Sequence, residues 1–202
     1  MNLLPVALFV ACLLETYSPV VVVYSKKGEP HGAAVVVDSR GYLVTCIHVL
    51  EGRRQVPVQF RDGTSGVATV VGQRISDELA ILKVDGPVGR RYMHLKTAKT
   101  APRVREPVVA VGHPRGWLFT ETTGTVTAVG RTVPWPAGGE LRGLLQTDAA
   151  VNAGNSGGAL LNASGELLGV PVAIREGAQG IAFAVPASAV RKLLVDHLPG
   201  GD

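Results

Sequence analysis

Short apolar runs, most of them rich in valine, recur along almost the whole chain and are separated by turn-forming residues. Turn signals such as Asp62-Gly63 and Ser164-Gly165 lie between them. β-branched residues in short runs bounded by such turns are typical of strands. The pattern predicts twelve strands, at Val20–Tyr24, Ala33–Val37, Tyr42–Thr45, Val56–Phe60, Gly66–Val71, Leu79–Val84, Pro107–Val111, Gly124–Val129, Leu144–Thr147, Ala159–Leu161, Leu167–Ala173 and Gly180–Val185.

The close spacing of these runs, with no helical period between them, predicts an all-β fold, either antiparallel barrels or a sandwich. A charged, proline-containing stretch at residues 90–105 divides the strands six and six, so we expect a linker between two half-size barrels. A helical period appears only at the C-terminal end, where Pro186 begins the segment PASAVRKLLVDHL. Its apolar residues fall near one face of a helix.

The first 18 residues form a separate apolar segment. Leu3–Leu14 carries no charge, which is too short for a bilayer span but is the size of a signal-peptide hydrophobic region. No Lys or Arg precedes it, and Ala11-Cys12 only faintly matches a lipoprotein attachment site. The alternatives are a signal peptide, a lipid anchor at Cys12 and a packed amphipathic helix ended by Ser18-Pro19; the helix is slightly favoured.

The composition of the 202 residues is that of a globular protein, with 46% hydrophobic and 18% charged residues. The net charge is +4, but the Lys and Arg residues are scattered or paired, so we expect no nucleic-acid partner. Cys12 and Cys46 cannot form a disulfide framework and lack zinc-site spacing. Cys46 and His48 together offer too few ligands, so no metal and no cofactor is expected.

One serine stands in an unusual context, the pentapeptide Gly154-Asn155-Ser156-Gly157-Gly158. Gly and Asn tolerate positive φ, so the segment could be a plain turn. It could equally present a nucleophile beside backbone amides that hold an anion. The second interpretation requires a base and an acid elsewhere in the chain.

Histidine is the natural general base, and the chain has five. His31 lies in a Gly-Pro turn region, and His94, His113 and His197 are expected to be surface or capping residues. His48 ends the apolar run YLVTCIHVL, where we expect it to be buried. A buried polar ring is costly without a purpose, so His48 is the candidate base.

Six segments, in order, resemble one family: GYLVTCIHVLEG, ELAILKVD, VVAVGHPRG, TGTVTAVGR, LLQTDAAVNAGNSGGALLN and GIAFAVPASAVRKLL. They are similar to the protease domain of the HtrA/Deg family of trypsin-like serine proteases. The resemblance implies two six-stranded antiparallel β-barrels of the chymotrypsin/trypsin type with an N-terminal and a C-terminal helix. Residues 19–202 would form this domain, as a barrel at about 19–89, the linker and a second barrel with the helix at about 106–202. Most members carry PDZ domains after the protease, and none is expected here.

The family pattern assigns roles to residues of this chain. His48 would be the base and Ser156 the nucleophile, with the loop Gly154, Asn155 and Ser156 forming the oxyanion hole through the amides of Gly154 and Ser156. The substrate pocket would be walled by five residues, Ala150, Val151, Val172, Ala173 and Ile174.

The triad acid is a choice between Asp77 and Glu78. The family pattern Asp-Leu-Ala, followed by aliphatic residues and a basic residue, matches Leu79–Lys83 and puts Glu78 in the catalytic position. Strand alternation favours the same residue. A one-residue bulge before Leu79 would bring Asp77 into line instead, so Asp77 stays as the alternative.

The resemblance implies a serine endopeptidase of the quality-control type that cleaves unfolded or extended chains after small or medium aliphatic residues. The alternative is a catalytically weak protease-fold module for binding or chaperone work. A homotrimer would form through Phe9 and Tyr17, and membrane contact is expected only if the N-terminal segment is an anchor. The family favours a periplasmic or extracytoplasmic location, with a cytoplasmic one left open.

Overall fold

Twelve antiparallel strands form two closed barrels within residues 19–86, 92–172 and 180–198, the part of the chain that the computed structural model describes. The strands are β1 (Val20–Tyr24), β2 (Pro30–Asp38), β3 (Tyr42–Cys46), β4 (Gln55–Gln59), β5 (Ser65–Arg74), β6 (Leu79–Val84), β7 (Pro107–Gly112), β8 (Thr120–Pro134), β9 (Glu140–Thr147), β10 (Ala159–Asn162), β11 (Leu167–Val172) and β12 (Ala182–Pro186). The first barrel has the order β1-β2-β3-β6-β5-β4 and the second β10-β11-β12-β9-β8-β7. The predicted all-β, two-barrel fold is confirmed.

Each predicted run overlaps one observed strand, and β1 and β6 have the predicted bounds. The largest difference is in the β8–β9 hairpin, which extends well beyond the predicted runs. Its outer part is mostly polar and exposed, and its two core-facing residues, Val133 and Leu141, are too few to form an apolar pattern that the sequence reveals. The strand ladder holds it instead, for example through the pairs Val133↔Leu141 and Pro134↔Glu140.

The C-terminal helix α1 (Ala187–His197) follows β12 directly, and Pro186 is its N-cap residue. Its buried residues Ala187, Val190 and Leu193 face the protein. The helix packs against β5 and β6 of the first barrel and against β11 and β12 of the second. It therefore braces the two barrels against each other. The helix predicted at the N-terminus lies outside the described residues.

One large hydrophobic core includes residues of both barrels, such as Leu43 and Ile81 from the first and Leu161 and Val172 from the second. The segment between the barrels adds backbone contacts to each. Leu95 N donates to Val36 O at 2.9 Å, and Ala98 N donates to Leu167 O at 2.9 Å. The two barrels are thus held together by a shared hydrophobic core and by backbone hydrogen bonds from the segment between them.

Candidate active site

His48 lies in a 3₁₀ turn, Ile47–Leu50, directly after β3. The turn ends the strand alternation: Val49 and Leu50 are buried, whereas the side chain of His48 keeps 37% of its surface exposed. The expectation that His48 is buried is therefore wrong. The apolar neighbours fill the core, and the change from strand to turn directs the imidazole towards solvent.

The carboxylate of Glu78 contacts His48 twice. Glu78 Oε1 accepts a hydrogen bond from His48 N at 2.7 Å and lies 3.0 Å from His48 Nδ1. Because an ionised carboxylate can only accept, Nδ1 carries the proton and Nε2 is left as the basic nitrogen of the neutral ring. The Glu78 side chain is only 8% exposed, so the carboxylate is largely shielded from water, whereas the imidazole that it contacts is not.

Asp77 points to a different partner. Its carboxylate pairs with Arg74 Nε at 2.6 Å, and both side chains are partly exposed. Asp77 ends a 3₁₀ turn, Ile75–Asp77, and Glu78 follows it in the left-handed region at φ 58° and ψ 27°. That conformation costs about 1 kcal/mol for a non-glycine residue. The turn and the strained residue together bring Glu78, and not Asp77, to the imidazole.

The loop that carries Ser156 is bonded to strands of both barrels. Ser156 O accepts from Ala33 N of β2 at 2.9 Å, and Gly157 N donates to Pro171 O of β11 at 3.0 Å. A Cβ added at Gly32 would lie 2.7 Å from Val49 Cγ1 and 3.3 Å from Ser156 O. One small residue therefore separates the backbone of Ser156 from the residue next to His48.

Two glycines of this loop are required by their surroundings. Gly154 and Gly157 have φ of 101° and 82°, which side-chain-bearing residues rarely adopt. A Cβ at Gly154 would overlap the carbonyl of His113, and one at Gly157 would overlap the carbonyl of Ala33. Neither position tolerates a larger residue without movement of the backbone.

The amides of the predicted oxyanion residues have different environments. Asn155 N donates to Asn152 O at 3.0 Å, so this N–H is already engaged in closing the loop. Gly154 N has no acceptor among the described residues, although Gly154 O accepts from His113 N at 3.2 Å. Among the described residues, the amide of Asn155 is therefore engaged and that of Gly154 is not.

The predicted pocket residues fall in two places. Ala150 is exposed and Val151 half-buried in the segment before Ser156, whereas the side chain of Val172 is wholly buried in the large core. Ala173 and Ile174 lie outside the described residues. Asp148, the acidic residue closest to this wall in sequence, accepts hydrogen bonds from Thr125.

His113 was expected at the surface or as a cap, and the first of these expectations is wrong, because the residue is 1% exposed. His113 Nδ1 accepts a hydrogen bond from Phe119 N at 2.9 Å, and the two rings meet edge to face at 4.8 Å. Burial lowers the pKa of His113 from 6.5 to about 4, so the ring is neutral near pH 7. The segment from His113 to Phe119, which lies beside the Ser156 loop, is thus stabilised by contacts with a buried, uncharged imidazole.

Sequence reasoning missed a contact between His48 and Trp135, whose ring centroids are 5.7 Å apart. No local signal marks it, because the two residues are brought together only by the bent β8–β9 hairpin. Cys46, in contrast, is buried and donates to Pro171 O at 3.4 Å, and burial raises its thiol pKa. Within the described ranges, no three His, Cys, Asp or Glu side chains are grouped to hold a metal, and no helix has the length and apolarity of a membrane span.

The sequence model of the trypsin-like peptidase domain matches residues 32–170. The chain belongs to the trypsin-like serine peptidases.

Among the curated relatives of this trypsin-like peptidase is a probable periplasmic serine protease do/HhoA-like of Haemophilus influenzae, 38% identical over 84% of this chain and 37% of that protein. The serine endoprotease DegS of Salmonella typhimurium is 36% identical over 81% of the chain and 47% of the relative. The periplasmic serine endoprotease DegP of the same species is 39% identical over 80% and 34%.

The crystal structure of the serine endoprotease from Yersinia pestis superposes with a TM-score of 0.78 at 31% identity, covering 93% of this chain and 65% of that one. These relatives place the peptidase in the HtrA/Deg group. The chain spans less than half of the length of the three curated relatives named above.

Proposed function

We propose that this chain is a serine endopeptidase in which His48, Glu78 and Ser156 act as a triad. The observation that carries the proposal is the pair of contacts from Glu78 Oε1 to His48 N and Nδ1, at 2.7 and 3.0 Å. These contacts fix the tautomer that leaves Nε2 free to accept a proton. They also place a negative charge where it stabilises the imidazolium.

In the proposed reaction Ser156 Oγ attacks the carbonyl carbon of a peptide bond while His48 Nε2 takes the hydroxyl proton. The amides of Gly154 and Ser156 hold the developing oxyanion, and each such donor is worth about 3 kcal/mol of transition-state stabilisation. The C–N bond then breaks, the leaving amine takes the proton from His48, and an ester on Ser156 remains. Water, deprotonated by His48, hydrolyses this ester and regenerates the serine.

A fluorophosphonate probe, which reacts with activated serines, tests this function. We expect the wild-type protein to be labelled at Ser156, identified by mass spectrometry of the modified peptide. Ser156→Ala should not be labelled, and His48→Ala should be labelled far more slowly. A folded wild-type protein that resists the probe and cleaves no peptide would contradict the proposal and favour the binding-module alternative.

We further propose a preference for small or medium aliphatic residues before the cut. Ala150 and Val151 are uncharged, and the carboxylate of Asp148 is already bonded to Thr125. A buried Lys or Arg side chain of the substrate would find no counter-charge among the described residues of this wall, and burial of an unpaired charge is costly. Cleavage of a peptide library chiefly after Lys or Arg would refute the preference.

The partners and location are proposed from the relatives. Unfolded or extended polypeptides outside the cytoplasm would be the substrates, because relatives of this chain are described as periplasmic endoproteases. A homotrimer through the segment that contains Phe9 and Tyr17 is the proposed assembly. Light scattering that gives a monomer mass at working concentration would refute the trimer.

A further inference from the structure

The turn between β1 and β2, residues 25–29, presents two adjacent lysines to solvent. Lys26 and Lys27 are both exposed. Ser25 N donates to Glu29 O at 2.8 Å, and Ser25 Oγ accepts from Lys27 N at 3.2 Å and from Glu29 N at 3.3 Å. The turn is therefore held by its main chain and by one hydroxyl, and these contacts do not require the two lysine side chains.

Two hydrogen bonds attach this turn to the segment that follows His48. Lys26 N donates to Glu51 Oε2 at 2.9 Å, and Arg53 Nη2 donates to Tyr24 O at 2.7 Å. Glu51 is the C-cap residue of the 3₁₀ turn that contains His48. The lysines therefore lie beside the turn that carries the candidate base.

β2 continues from this turn to the candidate nucleophile. His31, the second residue of β2, is exposed, and Ala33 N donates to Ser156 O at 2.9 Å. A strand rises by about 3.3 Å per residue, so His31 lies about 7 Å along β2 from this contact. We call Lys26, Lys27 and His31 the basic rim, because they follow one edge of the candidate site.

The acidic groups beside the basic rim do not cancel its charge. Residues 25–31 and 51–54 contain four Lys or Arg and two Glu, which gives a net charge of +2 with the histidine neutral. One of these carboxylates, Glu51, is already bonded to Lys26 N and pairs with Arg53 at 3.1 Å. The hydrogen bond from Lys26 N lowers the pKa of Glu51, and nearby positive charges lower it further. An anionic side chain of a bound peptide would therefore meet a surplus of positive charge.

The proposed reaction determines which part of a substrate passes the basic rim. In that reaction the residue before the cut faces the wall at Ala150 and Val151, which belongs to the second barrel. The leaving amine takes its proton from His48, which belongs to the first. The residues after the cut therefore extend away from the wall, past His48 and along β2.

We propose that the basic rim binds acidic side chains at the second and third positions after the cut. This inference deepens the proposed function and rests on it. Two residues of an extended peptide span about 7 Å, which is the distance along β2 from the Ser156 contact to His31. Lysine side chains are long and flexible, so Lys26 and Lys27 can reach a carboxylate at the next position. The preferred substrates are thus chains with Asp or Glu shortly after the cleaved bond.

The preference given by the basic rim should be moderate and sensitive to salt, because the rim is exposed and salt screens its charges. The same contacts form in the bound substrate and in the transition state, so they lower KM and leave kcat nearly unchanged. At low ionic strength we expect kcat/KM to be about three- to tenfold higher for a peptide with two glutamates than for one with two glutamines. At about 0.5 M salt the ratio should fall below about two.

Quenched fluorogenic peptides test the assignment. They share one sequence, with valine before the cut, and differ only at the second and third positions after it, which are Glu-Glu, Gln-Gln or Lys-Lys. For the wild-type protein we expect the highest kcat/KM for Glu-Glu and the lowest for Lys-Lys. Lys26→Ala/Lys27→Ala should reduce the ratio of Glu-Glu to Gln-Gln to about one to two, chiefly by raising KM for the Glu-Glu peptide. His31→Gln should lower the ratio by a smaller factor, and Lys26→Arg/Lys27→Arg should keep it.

The design of the variants preserves the turn, because residues 26 and 27 form its hydrogen bonds through main-chain N–H groups. The matched control is Lys99→Ala/Lys192→Ala, which removes two exposed lysines outside the basic rim and should keep the wild-type ratio. An equal loss of the ratio in this control would assign the preference to the net charge of the protein and overturn the proposal.

The other outcomes separate this inference from the proposed function. A preference that survives Lys26→Ala/Lys27→Ala overturns the inference. Circular dichroism shows whether this variant is folded; if it is not, the ratio for Lys26→Gln/Lys27→Gln decides. A wild-type protein that neither reacts with fluorophosphonate nor cleaves any peptide refutes both the function and this inference. Labelling at Ser156 and turnover, with equal kcat/KM for the Glu-Glu and Gln-Gln peptides, refute the inference alone.

Discussion

Two histidines of this chain occupy similar local structures and have opposite environments. His48 lies in a 3₁₀ turn after β3, and His113 precedes a 3₁₀ turn after β7. The Nδ1 atom of His48 meets a carboxylate in an open cleft, whereas that of His113 accepts a backbone N–H in the interior. Exposure and the nature of the Nδ1 partner, and not the strand-to-turn context, decide which ring can exchange protons with a substrate.

The largest expected effect comes from His48→Ala. Removal of a triad base lowers kcat by about 10⁴–10⁶-fold, because the serine then lacks a proton acceptor. The free energy of unfolding should fall by no more than about 2 kcal/mol. The ring is partly exposed, and the backbone N–H of residue 48 can still donate its hydrogen bond to Glu78 Oε1. Peptidase assays and urea unfolding measure the two quantities. Retention of turnover within tenfold would contradict the assignment of His48.

For His113→Ala we expect the opposite result, a large loss of stability and little change in turnover. The change leaves a cavity and removes the acceptor of Phe119 N–H, so the free energy of unfolding should fall by about 2–4 kcal/mol. The turnover of the remaining folded molecules should stay within about tenfold of the wild type, because the ring is not assigned to the reacting groups. Urea unfolding, together with activity corrected for the folded fraction, measures both. A stable variant with abolished turnover would reverse the roles given to the two histidines.

Burial of the His113 ring should also make the free energy of unfolding depend on pH, and this effect is expected to be smaller than that of His113→Ala. The pKa of His113 lies near 4 in the folded protein against an ordinary 6.5, so below pH 6.5 the unfolded chain takes up a proton that the folded chain does not. Stability is therefore complete above pH 6.5 and is lost as the pH falls towards 4, by about 2 kcal/mol between pH 7.5 and 5. Urea unfolding at these two pH values measures it for the wild type and for His113→Asn. If the free energy of unfolding fell by the same amount between the two pH values in both proteins, His113 would not be the titrating group.

Local sequence signals predicted the strands well, and they failed where tertiary structure overrides local pattern. Valine-rich runs and turn residues sufficed for the strands, because each strand buries an apolar face, whereas the choice of barrels over a sandwich also drew on the stretch at residues 90–105 and on the family resemblance. The exposure of His48 and the burial of His113 depend on turns whose direction no periodicity encodes. The left-handed conformation of Glu78 is uncommon for a glutamate, and the contact of Trp135 depends on three register shifts.

The choice between Glu78 and Asp77 is where the family pattern and the structure can be tested most directly. Peptide turnover, measured for Glu78→Gln and Asp77→Asn after circular dichroism has shown that both are folded, decides it. The account predicts a loss of about 10³–10⁴-fold in kcat for Glu78→Gln, because the amide no longer stabilises the imidazolium, and a change of less than about threefold for Asp77→Asn, which loses only a partly exposed ion pair with Arg74. A large loss in Asp77→Asn, with Glu78→Gln near the wild-type rate, would contradict the account.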